Sequence, residues 1–182
     1  MIYSGRYRVT SPYGMRLLNG TQEFHSGIDV VGVKAKYVCA VASGYVAASQ
    51  IITDKTNLTW QWGNYVCVIG DDGKQYYYCH MSKRLVEKGK RVNKGDHLGI
   101  EGNTGYSFGA HCHFEVRDAN GTTLNPAPFL GIPNAVGEYG VDYRTTYQRY
   151  FKVDNGTMNW IDGYKYADDF YRKMVEAIEK LL

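Results

Sequence analysis

Four of the five histidines lie in three short motifs whose side chains could together bind a metal ion and transfer protons. His25 and Asp29 form H-x-x-x-D in FHSGID, His80 ends QYYYCH, and His111 and His113 form H-x-H in AHCHFEV. Imidazole and carboxylate are the side chains that catalytic zinc sites combine, usually three from the protein with one position left for water. Imidazoles that do not bind the metal are suited to proton transfer.

The residues alone leave the ligand set open. His25, Asp29 and one histidine of the 111/113 pair would complete a three-ligand site. His80 and the other member of the pair would then serve as general base and as stabiliser of transition-state charge. Each motif also fits a structural role, Asp29 as a turn or capping residue and His80 as a hydrogen-bonded strand-edge residue. The fifth histidine, His97 in KGDHLG, is predicted to be a surface residue.

A two-residue period in HCHFEV predicts a strand. It places His111, His113 and Glu115 on one face and Cys112 on the other. Glu115 fits either a solvated strand residue or a partner that holds a ligand imidazole, and the sequence favours neither.

The other two motifs are also predicted to be extended. In FHSGIDVVG, a β-branched run and a glycine favour strand over helix, with His25 and Asp29 on one face. In QYYYCHMS, alternation places His80 on the same face as Tyr76 and Tyr78.

The elements that must position these motifs are predicted to be antiparallel strands. From about residue 5 to 130, short β-rich runs alternate with glycine turns, and DDGK and ANGT are predicted hairpin turns because glycine supplies positive φ. After NPAPFLGIP the pattern ends, so we predict a domain over 1–132 and an extension over 133–182. In the extension, apolar residues at three- and four-residue intervals predict one amphipathic helix over about 164–182.

Composition excludes several classes of protein. A net charge of +3 without a basic cluster does not fit binding to a nucleic-acid backbone. No apolar stretch has the length of a membrane span or a signal peptide, so we expect a soluble chain without an export signal. The four cysteines, Cys39, Cys67, Cys79 and Cys112, form no C-x-x-C pair and are expected to be reduced and buried.

The three motifs, in this order, resemble the lysostaphin-type zinc metallopeptidases that cut peptidoglycan cross-bridges and stem peptides. The similarity extends over roughly residues 10 to 130. It includes SPYGMR before the first motif, GNYVCVIGDDGKQYYYCHMS around the second, and GNTGYSFGAHCHFEVRD followed by LNPAPFL around the third. The resemblance implies an all-β core of antiparallel sheets that form an open groove.

The resemblance also assigns roles. It implies that zinc (Zn²⁺) is held by His25, Asp29 and His113. His111 becomes the general base, and His80 the donor to the oxyanion or the leaving amine. Cys79 and Cys112 stand where relatives often carry alanine and leucine. If their strands alternate regularly, both point away from the metal and face each other behind it.

The function implied is a zinc-dependent endopeptidase that hydrolyses peptidoglycan peptides, as a phage-type or secreted cell-wall lysin. Two alternatives remain: a non-catalytic wall-binding or activator module, and a structural component of a phage tail that retains the zinc site. The protein is expected to act on the bacterial cell wall, from outside the cell, from a virion, or from the cytoplasm before lysis. The extension over 133–182 is either a packing extension or a contact with another protein or subunit.

The resemblance does not identify the scissile bond, since both glycyl-glycine and D-alanyl bonds are cut within the family. Three segments are candidates for the groove walls: residues 17–24, LTWQWGN around Trp60 and Trp62, and GYSFG. The two tryptophans fit a packing role equally well.

Overall fold

The computed structural model describes residues 1–181, and antiparallel strands dominate the first 126 of them. The strands are β1 (Tyr7–Ser11), β2 (Gly14–Leu18), β3 (Thr21–His25), β4 (Ile28–Gly32), β5 (Tyr37–Cys39), β6 (Gly44–Ile51), β7 (Asn64–Gly70), β8 (Gln75–Met81), β9 (Lys83–Arg84), β10 (Arg91–Val92), β11 (His97–Ile100), β12 (Cys112–Arg117), β13 (Thr123–Leu124) and β14 (Gly137–Tyr139). The helices are α1 (Ala127–Leu130), α2 (Tyr143–Phe151), α3 (Asn155–Asp162) and α4 (Ala167–Glu179), with a 3₁₀ turn at Leu58–Trp62. The predicted fold class, an antiparallel β core with a helix-ending extension, is confirmed.

The strands form three sheets. The largest has nine strands in the order β10-β6-β7-β8-β12-β4-β1-β14, with β13 paired to β12. A three-stranded sheet has the order β5-β11-β9, and β2 and β3 form a separate hairpin. The predicted turns at DDGK and ANGT lie where β7 meets β8 and where β12 meets β13, and both pairings are antiparallel. Strands β8, β12 and β4 are therefore neighbours at the centre of the large sheet.

One face of the large sheet covers the main hydrophobic core. In β4, Ile28 and Val30 are fully buried in this core, and in β12 so are Cys112 and Phe114. Residues of the three-stranded sheet, including Val38 and Leu98, belong to the same buried cluster. Since side chains alternate along a strand, Asp29 of β4 and His113 of β12 lie on the opposite face.

A register shift in β8 corrects the predicted position of His80. Asn64 of β7 pairs with Met81 and Val66 with Tyr78, so the strands pass each other irregularly between these pairs. His80 lies in this irregular stretch with φ +64°, a left-handed backbone conformation that is unusual for residues other than glycine. The prediction that it shares a face with Tyr78 is therefore wrong, since Tyr78 is fully buried in the main core. Tyr76 lies in that core as well.

All four cysteines are free and buried, as predicted for reduced thiols. The hypothesis that Cys79 and Cys112 face each other is wrong. Cys112 lies in the main core, whereas Cys79 belongs to a second cluster on the other side of the sheet with Cys67 and Tyr65. In the β8–β12 pairing, Phe114 stands opposite Tyr78, so Cys79 stands beside His113 and one position away from Cys112. Residues one position apart in register point to opposite faces of the sheet.

The region after residue 132 contains more regular structure than the sequence predicted. Helix α4 begins at Ala167, three residues later than predicted, because residues 164–166 form a turn that precedes it. Residue 182, at the end of the predicted helix, lies outside the described part of the chain. Helices α2 and α3 were not predicted, since neither the tyrosine-rich sequence of α2 nor the short, largely polar sequence of α3 shows a clear apolar period.

Aspartate caps begin both of these unpredicted helices. Asp142 accepts a hydrogen bond from the backbone nitrogen of Thr145 (3.2 Å), and Asp154 accepts one from that of Thr157 (3.0 Å). D-x-x-T is a capping signal that sequence reading could have used. Within residues 1–181, no helix has the length and apolar character that a bilayer span requires.

Candidate metal centre

Asp29 and His113 meet because their strands are paired in register. The two residues are direct cross-strand partners in the β4–β12 pairing. Side chains opposite each other on one sheet face are close neighbours, and here His113 Nδ1 lies 2.8 Å from Asp29 Oδ1. The sheet thus joins two motifs that are 84 residues apart in the chain.

His25 reaches the same point from the end of β3. Its Nε2 lies 3.1 Å from His113 Nδ1 and 3.2 Å from Asp29 Oδ1. Its Nδ1 lies 2.8 Å from the carbonyl oxygen of Pro12. Because a carbonyl oxygen only accepts, Nδ1 carries the proton, and the lone pair of Nε2 faces the other two side chains.

These three side chains fit a metal ion. One donor atom from each of His25, Asp29 and His113 lies within 4.8 Å of the other two. In a tetrahedral zinc site with bonds of about 2.0–2.1 Å, ligand atoms lie about 3.3 Å apart. The observed separations of 2.8–3.2 Å are close to that spacing.

Gly27 provides the space in which His113 lies. A Cβ atom at this position would be 2.6 Å from the carbonyl oxygen of Phe114 and 2.7 Å from Cε1 of His113. The backbone oxygen cannot move aside without disturbing the β4–β12 pairing. The glycine between the first two predicted ligands therefore allows the third to pack against the turn.

The remaining two imidazoles of the motifs also face this group. Nδ1 of His80 lies 2.8 Å from the carbonyl oxygen of Thr104, and Nδ1 of His111 lies 2.8 Å from that of Gly109. By the same argument, each ring carries its proton on Nδ1 and presents Nε2. The ring centroids of His80 and His111 are 4.7 Å apart, and His111 Nε2 lies 3.5 Å from Asp29 Oδ1.

Glu115 supports His113 from behind. Its side chain is buried, and Oε1 lies 3.1 Å from His113 Nε2 and accepts a hydrogen bond from Ser26 Oγ (2.6 Å). Arg117 donates to Oε2 through Nε at 2.8 Å. Of the two roles that the sequence left open for Glu115, the solvated one is excluded. Its position on the same face as His113 agrees with the predicted alternation.

Burial and close polar neighbours shift the pKa values of three side chains in this site. Burial would raise the pKa of Asp29, but its contacts with the imidazoles of His111, His113 and His25 outweigh burial and hold the pKa well below its usual range. Burial would lower the pKa of His113, but its hydrogen bonds to Asp29 and Glu115 raise it to about 9. For His80, burial and the neighbouring His111 lower the pKa to about 4, so this ring is neutral at pH 7.

The group lies in an open cleft with a volume of about 720 Å³. The predicted walls contribute to it: Leu17 and Phe24 on one side, Tyr106 and Phe108 on another, and Trp62. Trp62 also packs against Tyr65 and Tyr77, so it combines both of the roles considered for it. Trp60 does not line the cleft among the described residues, and its ring packs edge-on against Tyr106.

The prediction that His97 is a surface residue is wrong. Its side chain is only 17% exposed, and its Nε2 lies 3.0 Å from Asp169 Oδ2 of α4. Its ring stacks on Tyr37 with centroids 4.4 Å apart. His97 thus connects β11 to the C-terminal helix, a contact that local sequence could not reveal because its partner lies about seventy residues away.

Comparison with known proteins gives the site a context. Residues 23–126 match peptidase family M23. The peptidoglycan DD-endopeptidase ShyC of Vibrio cholerae is 33% identical over 122 residues, which cover 65% of this chain and 26% of that protein. The glycyl-glycine endopeptidase ALE-1 of Staphylococcus capitis is 32% identical over 123 residues, covering 65% of this chain and 32% of that protein.

A solved structure shows the same fold. The antimicrobial peptidase lysostaphin from Staphylococcus simulans superposes with a TM-score of 0.58 at 29% identity, covering 69% of this chain and 49% of that one. The matched part of the chain spans about a quarter of the length of ShyC and about a third of that of ALE-1. The residues that match the family, 23–126, include all three histidine motifs.

Proposed function

The chain belongs to peptidase family M23, and on this premise we propose that it is a zinc-dependent endopeptidase that hydrolyses peptide bonds in bacterial peptidoglycan. One observation carries the proposal. The donor atoms of His25, Asp29 and His113 converge beside two further imidazoles in an open cleft.

We propose that these three side chains hold the metal and that zinc is the metal. The donor set of two imidazoles and one carboxylate is typical of catalytic zinc, which leaves one position for water or substrate. When bound, zinc supplies a Lewis acid for the scissile carbonyl and lowers the pKa of water. Glu115, bonded to Nε2 of His113, fixes the ring so that Nδ1 is the atom offered to the metal.

His80 and His111 are proposed to move protons during the reaction. Both rings are held through Nδ1 by backbone carbonyls, so Nε2 is the atom that accepts or releases a proton. We assign acceptance from the attacking water to His111 and donation to the oxyanion or leaving amine to His80. Because the low pKa of His80 keeps it neutral in the resting site, it donates only after it receives the proton that His111 has taken from the attacking water, and the two ring centroids are 4.7 Å apart.

The cleft suits an extended peptide. It is open, and its exposed walls combine apolar and aromatic side chains, with Leu17 70% exposed, Phe24 53% and Phe108 76%. Relatives are named as a peptidoglycan DD-endopeptidase and a glycyl-glycine endopeptidase, and we propose D-alanyl and glycyl-glycine bonds as the candidate substrates. A phage-type or secreted lysin is the biological setting that we propose for this activity.

Residues 133–182 are proposed to be an extension of a peptidase domain formed by 1–132. Two contacts support this arrangement. Strand β14 pairs with β1 at the edge of the large sheet, and Asp169 of α4 approaches His97. None of the five motif side chains lies in the extension.

Defined muropeptides with either glycyl-glycine bridges or D-alanyl cross-links test the proposal. Mass spectrometry should detect new amino termini with the zinc-loaded protein and none after chelation. His113→Ala should abolish zinc binding and release. His80→Ala and His111→Ala should retain zinc and lose about 10²–10⁴-fold in rate, the usual contribution of acid–base groups. His97→Gln, a histidine outside the cleft, is the matched control.

Undiminished cleavage by the His113→Ala protein would contradict the proposal. Binding to sacculi without release of amino termini would instead identify a non-catalytic wall-binding module. Retention of all five motif side chains argues against that outcome.

A further inference from the structure

The segment SPYGMR, residues 11–16, lies against two of the three proposed ligands. The carbonyl oxygen of Pro12 accepts a hydrogen bond from Nδ1 of His25 at 2.8 Å. Nη1 of Arg16 lies 3.3 Å from Asp29 Oδ2 and donates to Ser11 Oγ at 2.7 Å. A segment without any ligand atom therefore contacts both His25 and Asp29.

Arg16 is itself held in place. It is the cross-strand partner of Glu23 in the β2–β3 hairpin, and its Nε donates to Glu23 Oε1 at 2.7 Å. The side chain is 26% exposed, although it lines the cleft. Its guanidinium is thus engaged by Glu23 on one side and by Ser11 and Asp29 on the other. Arginine suits this role because its planar fork presents donors in fixed directions.

The two oxygens of Asp29 have different partners. Oδ1 faces the imidazoles, 2.8 Å from His113 Nδ1 and 3.2 Å from His25 Nε2. Oδ2 faces Arg16. For both oxygens to turn towards one metal ion, the carboxylate would have to give up its contact with the guanidinium.

We propose that Arg16 is a positioning residue that holds Asp29 in one-oxygen coordination, so that a position on the metal stays open for water and substrate. This inference rests on the proposed metal site and adds a residue that carries no ligand atom. Side chains that orient metal ligands in this way typically contribute 10–100-fold to metal affinity or activity.

A direct role in substrate binding is the rival explanation, because an arginine in a cleft can bind a peptide carboxylate. The contacts favour positioning. Two carboxylates, those of Glu23 and Asp29, already neutralise Arg16, and its Nε and Nη1 atoms are engaged within the protein. A substrate carboxylate would have to displace one of them.

Metal binding tests the inference without any peptidoglycan substrate. Zinc affinity is measured by competition with a chromogenic chelator, and the absorption spectrum of the cobalt(II)-substituted protein reports coordination number. Arg16→Gln should weaken zinc affinity by about 10-fold or more and shift the cobalt spectrum towards a higher coordination number. Arg16→Lys should restore part of the affinity but not the spectrum, since lysine provides charge without the fork. Arg8→Gln, an exposed arginine on β1, should match the unmodified protein.

Unchanged zinc affinity and an unchanged cobalt spectrum in Arg16→Gln would overturn the inference and leave the proposed function intact. A rise in KM for peptide with normal metal binding would also overturn it, by assigning Arg16 to substrate. If Arg16→Gln does not fold, Arg16→Lys carries the same test, because lysine lacks the fork that reaches Ser11 and Asp29 together, and an unchanged cobalt spectrum in that variant would count equally against the inference. Failure of the unmodified protein to bind zinc through His113 would overturn the proposed function, and this inference with it.

Discussion

The large sheet and the C-terminal helices bury very different side chains. Within residues 1–181, every buried histidine and every buried acidic residue lies before residue 116. They are His25, His80, Glu101, His113 and Glu115. The core of helices α2 to α4 contains tyrosine, methionine, alanine and valine, with Tyr143, Tyr147, Met158, Ala167, Tyr171 and Val175 buried together.

The side chains proposed to bind metal and transfer protons thus lie in the β region, whereas the buried side chains of the helices serve packing. A buried charge is costly unless it is paired, so every charged group on the sheet face must find a partner. Paired strands can provide such partners because their register fixes which side chains face each other. The helical core carries no such constraint, and we expect changes there to alter stability without altering metal affinity.

The largest effect on the metal site is expected from Gly27→Ala. The new methyl group would meet the carbonyl oxygen of Phe114 at 2.6 Å and the ring of His113 at 2.7 Å, so this ligand must move. We expect zinc affinity to fall by about 100-fold or more, at the upper end of effects on ligand orientation. Chelator competition measures this loss. Gly5→Ala is the control, since its nearest atom would be 4.0 Å away.

A smaller effect is expected from Glu115→Gln. The amide oxygen could still accept from His113, but the negative charge that makes the imidazole a stronger ligand is lost. Zinc affinity should fall by about 10-fold to 100-fold. Glu138→Gln on β14, where the side chain is 47% exposed, should change nothing. Equal affinity in the two variants would show that the negative charge of Glu115 does not affect metal binding.

Acidity should change zinc affinity by about tenfold per pH unit. Burial would lower the pKa of His113, but hydrogen bonds to Asp29 and Glu115 raise it to about 9. Below pH 9, zinc must therefore displace a proton from this ring. Affinity should therefore rise from pH 7 to 9 and then level off. Titration calorimetry in buffers of different ionisation enthalpy detects the released proton. A flat profile would contradict the raised pKa.

The same pKa predicts the stability of the metal-free protein. A pKa raised above the ordinary value of 6.5 stabilises the fold fully below that value, and the contribution disappears as pH rises through about 9. Denaturant unfolding after chelation should show this decrease. In Glu115→Gln, which removes one of the two carboxylates, the decrease should occur at lower pH.

The smallest effect on zinc is expected from Tyr171→Ala in α4. Tyr171 is 1% exposed, donates to Asp162 Oδ1 at 2.8 Å and packs against Tyr147. Its removal should reduce the free energy of unfolding by about 3–5 kcal/mol, as for other large aromatic residues, yet leave zinc affinity unchanged at temperatures where the variant is folded. Trp160→Ala, 67% exposed, is the control for stability. A loss of zinc affinity comparable to that of Gly27→Ala would remove the distinction between the two regions.

Much of the β core could be predicted because its signals are local. Hairpins at DDGK and ANGT follow from glycine turns between alternating runs, and alternation in HCHFEV correctly placed Glu115 beside His113. Helices α2 and α3 lacked such a signal in their apolar pattern, and only their aspartate caps marked them. His97 was misjudged because its partner, Asp169, comes from a distant helix.

The sequence by itself determined which side chains were available and on which strand faces most of them would lie, because side-chain alternation and glycine conformation are properties of the local chain. Only the tertiary structure decided that His113 stands opposite Asp29, that an irregular pairing turns His80 towards the cleft, and that Arg16 contacts the second oxygen of Asp29. Those facts depend on register between strands far apart in sequence. Such register follows from the pairing and packing of the whole sheet rather than from the preference of any single segment.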